Sequence, residues 1–287
     1  MKLLRAGEAG KERPALLDGQ GQLRDLSAMV SDIGRDALLP ESLAKVAALD
    51  AATLPKIAGS PRIGTCVANV GKIVCVGLNY KDHAAEANMP IPAEPILFLK
   101  PTSAIIGPND DVEIPLGAEK VDWEVELGIV IGKPGKYVPI ERALDHVAGY
   151  CVVNDVSERA YQLERSGGQW DKGKGCDTFA PIGPWLVTKD EVADPQSLDL
   201  WLEVDGQRFQ NGNTRTMIFG VKHLVSYISH FMSLHSGDVI ATGTPPGVGM
   251  GRRPPQFLKL GQSMRLGIAG LGVQTQRAVQ ATFMSSR

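Results

Sequence analysis

The run Asp122-Trp123-Glu124-Val125-Glu126-Leu127-Gly128-Ile129-Val130-Ile131-Gly132 reads as a strand buried in a core, yet it carries two glutamates. Residues two apart on a strand face the same side, so Glu124 and Glu126 point together out of an apolar segment. Two like charges held side by side near a core repel strongly unless a cation or a proton lies between them. A fold that accommodates this segment has two ways to do so. It can grip a divalent metal between the carboxylates, or it can turn Glu124 and Glu126 to solvent with Trp123, Val125 and Leu127 inward. The segment alone leaves both open.

The chain has 287 residues, enough for a large core arranged as one big domain or as a large one with a small companion. With 43% hydrophobic and 22% charged residues it has the make-up of a globular protein. The formal net charge of −2 gives no electrostatic reason to expect nucleic acid or an anionic membrane as partner. No stretch approaches the ~18 uninterrupted apolar residues of a membrane-spanning helix. The N-terminus, Met1 to Gly7, breaks into charge too early for a signal peptide. Cys66, Cys75, Cys151 and Cys176 form no Cys-x-x-Cys pair, which disfavours disulfides and zinc and fits a reducing cytoplasm. Glycine and proline, at 32 and 19 residues, argue for many turns and short strands rather than a helix bundle.

Residues 1–68 read as a small N-terminal α/β domain. Pro14 to Leu17, the turn Asp18 to Gly21, and Gln22 to Leu26 form strand, turn, strand. A helix follows near Ser42 to Leu49, with a weaker one before it. Gly59 to Gly64 reads as a linker into a second domain at residues 72–287. That domain opens with the buried strand Lys72 to Gly77 and a short helix capped by Asn79. Further strands are expected at Pro95 to Leu99, Val121 to Ile131, Ala148 to Asn154, Leu198 to Val204, Asp238 to Thr242 and Ser263 to Ile268. Asp205-Gly206 signals a hairpin, and a helix is expected from Phe219 to Met232. The pattern is α+β and strand-dominated, without the regular alternation of a doubly wound sheet.

Asp155 closes the strand Gly149 to Asn154, where a rigid strand end can hold a carboxylate in a cleft. Glu124, Glu126 and Asp155 together would make an all-oxygen site suited to Mg²⁺ or Mn²⁺, although a lone aspartate at such a place is more often a turn former. His83 and Glu86, spaced i, i+3 on the short helix, can hydrogen-bond as an oriented general base, or His83 can be a solvated surface residue. Lys172 and Lys174 stand among glycines, where one could hold a substrate carboxylate or an enolate oxygen, or both could be solvated lysines on a loop. Thr242-Gly243-Thr244-Pro245 lacks the ending of a phosphate loop, and the following Arg252-Arg253-Pro254-Pro255 cannot start a dinucleotide-fold helix. A turn offering donors to a small carboxylate is the better reading.

The order of these motifs is more specific than any one of them. Gly77-Leu78-Asn79-Tyr80-Lys81-Asp82-His83-Ala84-Ala85-Glu86 precedes Pro95 to Pro101, then Asp122 to Gly128, then Asn154-Asp155-Val156-Ser157. Lys172 to Thr178 follows, then Gly237 to Pro245. The series resembles the fumarylacetoacetate hydrolase superfamily over residues 72–287. Its closest likeness is to the bacterial branch given as 2,4-diketo-3-deoxy-L-fuconate hydrolase, ureidoglycolate lyase or 2-hydroxyhepta-2,4-diene-1,7-dioate isomerase. The resemblance implies a mixed β-sandwich roll paired as a homodimer, with Mg²⁺ or Mn²⁺ on Glu124, Glu126 and Asp155. It also implies a water-activating dyad of His83 and Glu86, and substrate contacts from Lys174 and Thr244. Gln262 stands where members usually carry aspartate, in a turn with no expected catalytic consequence. The implied reaction is hydrolysis of a carbon–carbon bond in a 2,4-diketo acid, either an acylpyruvate or a 2,4-diketo-3-deoxy sugar acid, releasing pyruvate. Ureidoglycolate cleavage, dioate isomerisation, oxaloacetate decarboxylation and non-catalytic binding of a small acid are the rivals.

Overall fold

The computed structural model describes residues 1–282. Two sheets pack on each other and enclose the main core. The larger sheet runs in the order Leu23–Asp25, Arg13–Leu17, Lys2–Ala6, Ala180–Thr188, Val147–Asn154, Val125–Ile131, Val239–Ala241, Ile73–Gly77 and Ile96–Lys100. The short Ile105–Ile106 strand adds in parallel to Ala180–Thr188. The smaller sheet is ordered Gln207–Asn213, Asp199–Val204, Ser263–Ile268, Gly272–Gln280 and Val112–Ile114. The result is the strand-dominated α+β roll expected from the sequence.

The central strand Val125–Ile131 is buried along its whole length, and the second sheet packs against it. Its antiparallel register with Val147–Asn154 sets Glu126 opposite Val153 and Val125 opposite Asn154. That register delivers the next residue, Asp155, to Glu124, whose carbonyl accepts from the Asp155 amide at 2.9 Å. On the other side Ala241 pairs with Gly128, so the Thr242–Thr244 turn leaves the sheet beside Glu126. Three loops therefore converge at one end of the sheet because of pairing alone.

The expected single strand from Val121 to Ile131 is broken at Trp123 and Glu124. Val121–Asp122 pairs with Ser157–Glu158, and the chain then changes partner to begin Val125–Ile131. The helix after Ile73–Gly77 is Lys81–Glu86, and it is preceded by Tyr80 without a side-chain cap. Asn79 does not cap it. Its amide is buried and holds the chain across space instead, accepting from Phe219 N at 2.8 Å and donating to Thr242 O at 2.7 Å and Phe219 O at 3.0 Å. The helix expected before Ser42 is a series of turns, and the N-terminal helix itself is Pro40–Ala47.

Lys2–Ala6 pairs with Ala180–Thr188 through Lys2 with Val187 and Leu3 with Leu186, so the N-terminal hairpin continues the sheet that carries the site. Residues 1–68 and the rest of the chain are thus joined by a hydrogen-bonded ladder as well as by the Gly59 to Gly64 connection. Among the described residues, no helix is long and apolar enough to cross a membrane.

Candidate active site

Glu124, Glu126 and Asp155 each place a carboxylate oxygen within 4.8 Å of the other two. All three are buried, at 5%, 2% and 0% exposure, which removes the alternative of a solvated strand face. Three cations surround them. Lys174 Nζ donates to Glu124 Oε2 and Asp155 Oδ2, both at 2.7 Å. Arg159 Nη2 lies 2.7 Å from Glu124 Oε1 and 2.8 Å from Asp122 Oδ2. Lys100 Nζ, with no exposed side-chain surface, donates to Asp155 Oδ1 at 2.5 Å and to Val156 O at 3.0 Å.

These contacts leave the cluster out of balance. Asp122, Glu124, Glu126 and Asp155 face Lys100, Arg159 and Lys174, one carboxylate in excess. The excess falls on Glu126, whose hydrogen bond among the described residues is from Gly243 N at 2.9 Å. Burial, with the charges of Asp155 and Glu124 beside it, pushes the Glu126 carboxyl well above its ordinary range. Burial acts the same way on Glu124, but Lys174 and Arg159 outweigh it and hold that carboxyl well below the usual range. For Lys174, burial favours the neutral amine, and the Asp155 and Glu124 charges reverse this and keep it protonated. A divalent cation fits this donor set: oxygen ligands only, three of them convergent, one without a counter-charge.

His83 stands on Lys81–Glu86 and lines the same cavity, of about 90 Å³, as the three carboxylates. Its Nδ1 is 3.0 Å from Glu86 Oε2, and Glu86 Oε1 accepts from Gly247 N at 2.9 Å. The carboxylate is pinned by the loop and in turn orients the ring. With a proton on Nδ1 facing Glu86, Nε2 is the basic nitrogen. The solvated alternative for His83 does not hold, since only 7% of it is exposed.

Of the two loop lysines, Lys174 enters the site, while the exposed Lys172 donates to Arg165 O. Thr244 lines the cavity, but its hydroxyl already donates to Val125 O at 2.9 Å and accepts from Gln210 Nε2 at 2.8 Å. Its evident work is to tie the turn to the central strand. Lys100, Arg159 and Asp122 were not singled out as site residues from the sequence. Lys100 carried a signal, a lysine closing the apolar run Ile96-Leu97-Phe98-Leu99, but nothing in the sequence shows which carboxylate lies across from it.

The chain belongs to the fumarylacetoacetate hydrolase family: the family model described as fumarylacetoacetate (FAA) hydrolase C-terminal matches residues 72–279. It is therefore an enzyme, in a family of metal-dependent hydrolases and isomerases. A relative from Burkholderia multivorans that carries a provisional hydrolase name is 66% identical over 277 residues, 96% of this chain and 98% of that one. The structure of 2-hydroxyhepta-2,4-diene-1,7-dioate isomerase from Mycobacterium marinum is 34% identical, covering 99% of this chain and 100% of that one, with a TM-score of 0.74. Maleylpyruvate hydrolase from Sphingobium sp. SYK-6, solved with manganese(II) and pyruvate, is 29% identical over 98% of this chain and 100% of that one, with a TM-score of 0.82.

Proposed function

We propose that this enzyme hydrolyses the carbon–carbon bond of an acylpyruvate, a 2,4-diketo acid, to pyruvate and a carboxylic acid. The observation that carries the proposal is the meeting of two devices in one cavity, an acidic triad short of a cation and an imidazole oriented by a carboxylate. Glu124, Glu126 and Asp155 would hold Mg²⁺ or Mn²⁺, which supplies Lewis-acid polarisation of the substrate's carboxylate and 2-oxo oxygens. His83 takes a proton from water as the water oxygen attacks the 4-carbonyl carbon. The bond between carbons 3 and 4 then breaks, its electron pair passes to the pyruvate fragment as an enolate, and the proton returns to carbon 3. The Lys174 ammonium, kept charged by its carboxylates, stabilises the enolate oxygen as it forms.

The likeness to a dioate isomerase supports a second reading, in which His83 moves a proton between carbons and no water attacks. Pyruvate release separates the two. With Mn²⁺ or Mg²⁺, acylpyruvate turnover is expected to yield pyruvate, and His83→Ala is expected to lower kcat by ~10²–10⁴ while Mn²⁺ affinity stays unchanged. An isomerised product without pyruvate, or full activity in His83→Ala, overturns the hydrolase mechanism. A cytoplasmic homodimer belongs to the same proposal, and sedimentation of the purified protein tests the dimer.

A further inference from the structure

The cavity is charged at its buried end and apolar toward its mouth. Beyond the carboxylates its walls are Leu78, Met89, Phe98, Leu163, Trp170 and Met250. Met89 and Leu163 are each 48% exposed and flank the opening. Phe98 and Trp170 form a continuous aromatic wall, with ring centroids 5.6 Å apart. Gly77 permits this wall, because a Cβ there would lie 2.2 Å from the Trp170 ring. Eleven large apolar side chains are exposed among the described residues, and Met89 and Leu163 are the two of them that line this cavity.

Toward its mouth the same cavity offers no cation among the described residues. Among the described residues its two strongly basic side chains, Arg159 and Lys174, are each held by two carboxylates at the buried end. Gln162 spends its carbonyl on Arg159 Nη1 at 2.9 Å. A second carboxylate at the far end of a substrate would lose water against Leu163, Met89 and Trp170 and gain no counter-charge. A hydrocarbon tail would cover surface that is otherwise wet.

Resting on the acylpyruvate reading above, we infer that the acyl group is apolar and uncharged, an alkanoyl or aroyl chain. It is neither a second acid nor a polyhydroxylated sugar chain. The carboxylate cluster takes the pyruvate unit, and the wall from Phe98 and Trp170 to Leu163 and Met89 selects the acyl tail.

The test compares chains matched in length. In Mn²⁺-loaded enzyme, kcat/KM for pentanoylpyruvate is expected to exceed that for succinylpyruvate, and that for a 2,4-diketo-3-deoxy sugar acid, by about tenfold or more. Leu163→Arg, at an exposed position, is expected to narrow the pentanoyl-to-succinyl ratio by about tenfold, with the gain appearing in the succinyl substrate. Equal or better turnover of succinylpyruvate or the sugar acid by the unaltered enzyme overturns the inference. A binding arm keeps it separate from the hydrolase reading. Calorimetry on the Mn²⁺-loaded protein should show 2-oxohexanoate binding tighter than 2-oxoglutarate, and the reverse order overturns the apolar wall. Should no acylpyruvate be cleaved, the hydrolase reading falls and the calorimetric order alone decides what the wall selects.

Discussion

Among the described residues, Glu126 is the carboxylate of the cluster left without a partner cation, so the demand of the site for metal is concentrated there. Glu126→Gln keeps a similar shape and an acceptor for Gly243 N while removing the unbalanced charge. In EDTA its urea midpoint is expected to equal or exceed that of the unaltered protein, and its Mn²⁺ affinity to fall by at least about tenfold. Clear destabilisation without metal would show that Glu126 has a partner this reading lacks. Lys100 tests the opposite case. Lys100→Met strands the buried Asp155 Oδ1, a loss of about 3–5 kcal/mol in urea unfolding with EDTA. Saturating Mn²⁺ is expected to recover part of it, since a cation held by Glu124, Glu126 and Asp155 would bind the folded chain alone and bring positive charge to the cluster. The triad was legible in the sequence because a carboxylate inside an apolar run is conspicuous. Lys100 and Arg159 were not, because their partners Asp155 and Asp122 lie 55 and 37 residues away and only the fold brings them together.

At the scale of elements, the legible strands were those that alternate or run apolar, and three of the strands given no range from the sequence break that rule for separate reasons. Ala180–Thr188 contains Pro181, Gly183 and Pro184, which read as turn. Gln207–Asn213 is an edge strand and largely polar. Gly272–Gln280 inverts the usual pattern: Val273 and Arg277 face out, while Gln274 and Gln276 are buried. The fold can bury those amides because it satisfies them. Gln274 Nε2 donates to Val152 O at 2.8 Å and to Gly183 O at 2.9 Å, and Gln276 Oε1 accepts from Asn154 Nδ2 at 3.0 Å. The Asp205-Gly206 hairpin, by contrast, was readable because its backbone demands it, with φ of 49° and 79°. A Cβ on Gly206 meets nothing within 4 Å, so Gly206→Ala isolates the conformational cost. We expect a loss of about 1 kcal/mol in urea unfolding with kcat/KM unchanged. A larger loss, or altered turnover, would mean that this turn does more than reverse the chain.

For the whole molecule, the sequence suggests two units where the structure has one continuous sheet. The family match begins at residue 72, yet the relative from Burkholderia multivorans aligns over 96% of the chain, so the N-terminal segment is shared as well. Physically it closes an edge. Lys2–Ala6 covers Ala180–Thr188, and the Met1 amino group donates to Thr188 Oγ1 at 2.5 Å and pairs with Glu191 at 2.8 Å. Leu3, Leu4 and Leu16 are buried beneath it. Removing residues 1–68 would take those leucines away, expose the apolar surface they cover, and leave the Ala180–Thr188 strand as an open edge. That strand pairs directly with Val147–Asn154, which leads into Asp155, so damage at the edge lies one strand from the site. The full chain is expected to unfold in urea in a single transition that is the same by fluorescence and by circular dichroism. A chain beginning at residue 69 is expected to aggregate or to lose cooperative unfolding, and with it saturable Mn²⁺ binding. Should that shortened chain remain monodisperse, unfold cooperatively and bind Mn²⁺ as tightly as the whole, the N-terminal hairpin would be an appendage, and the catalytic sheet would be complete without it.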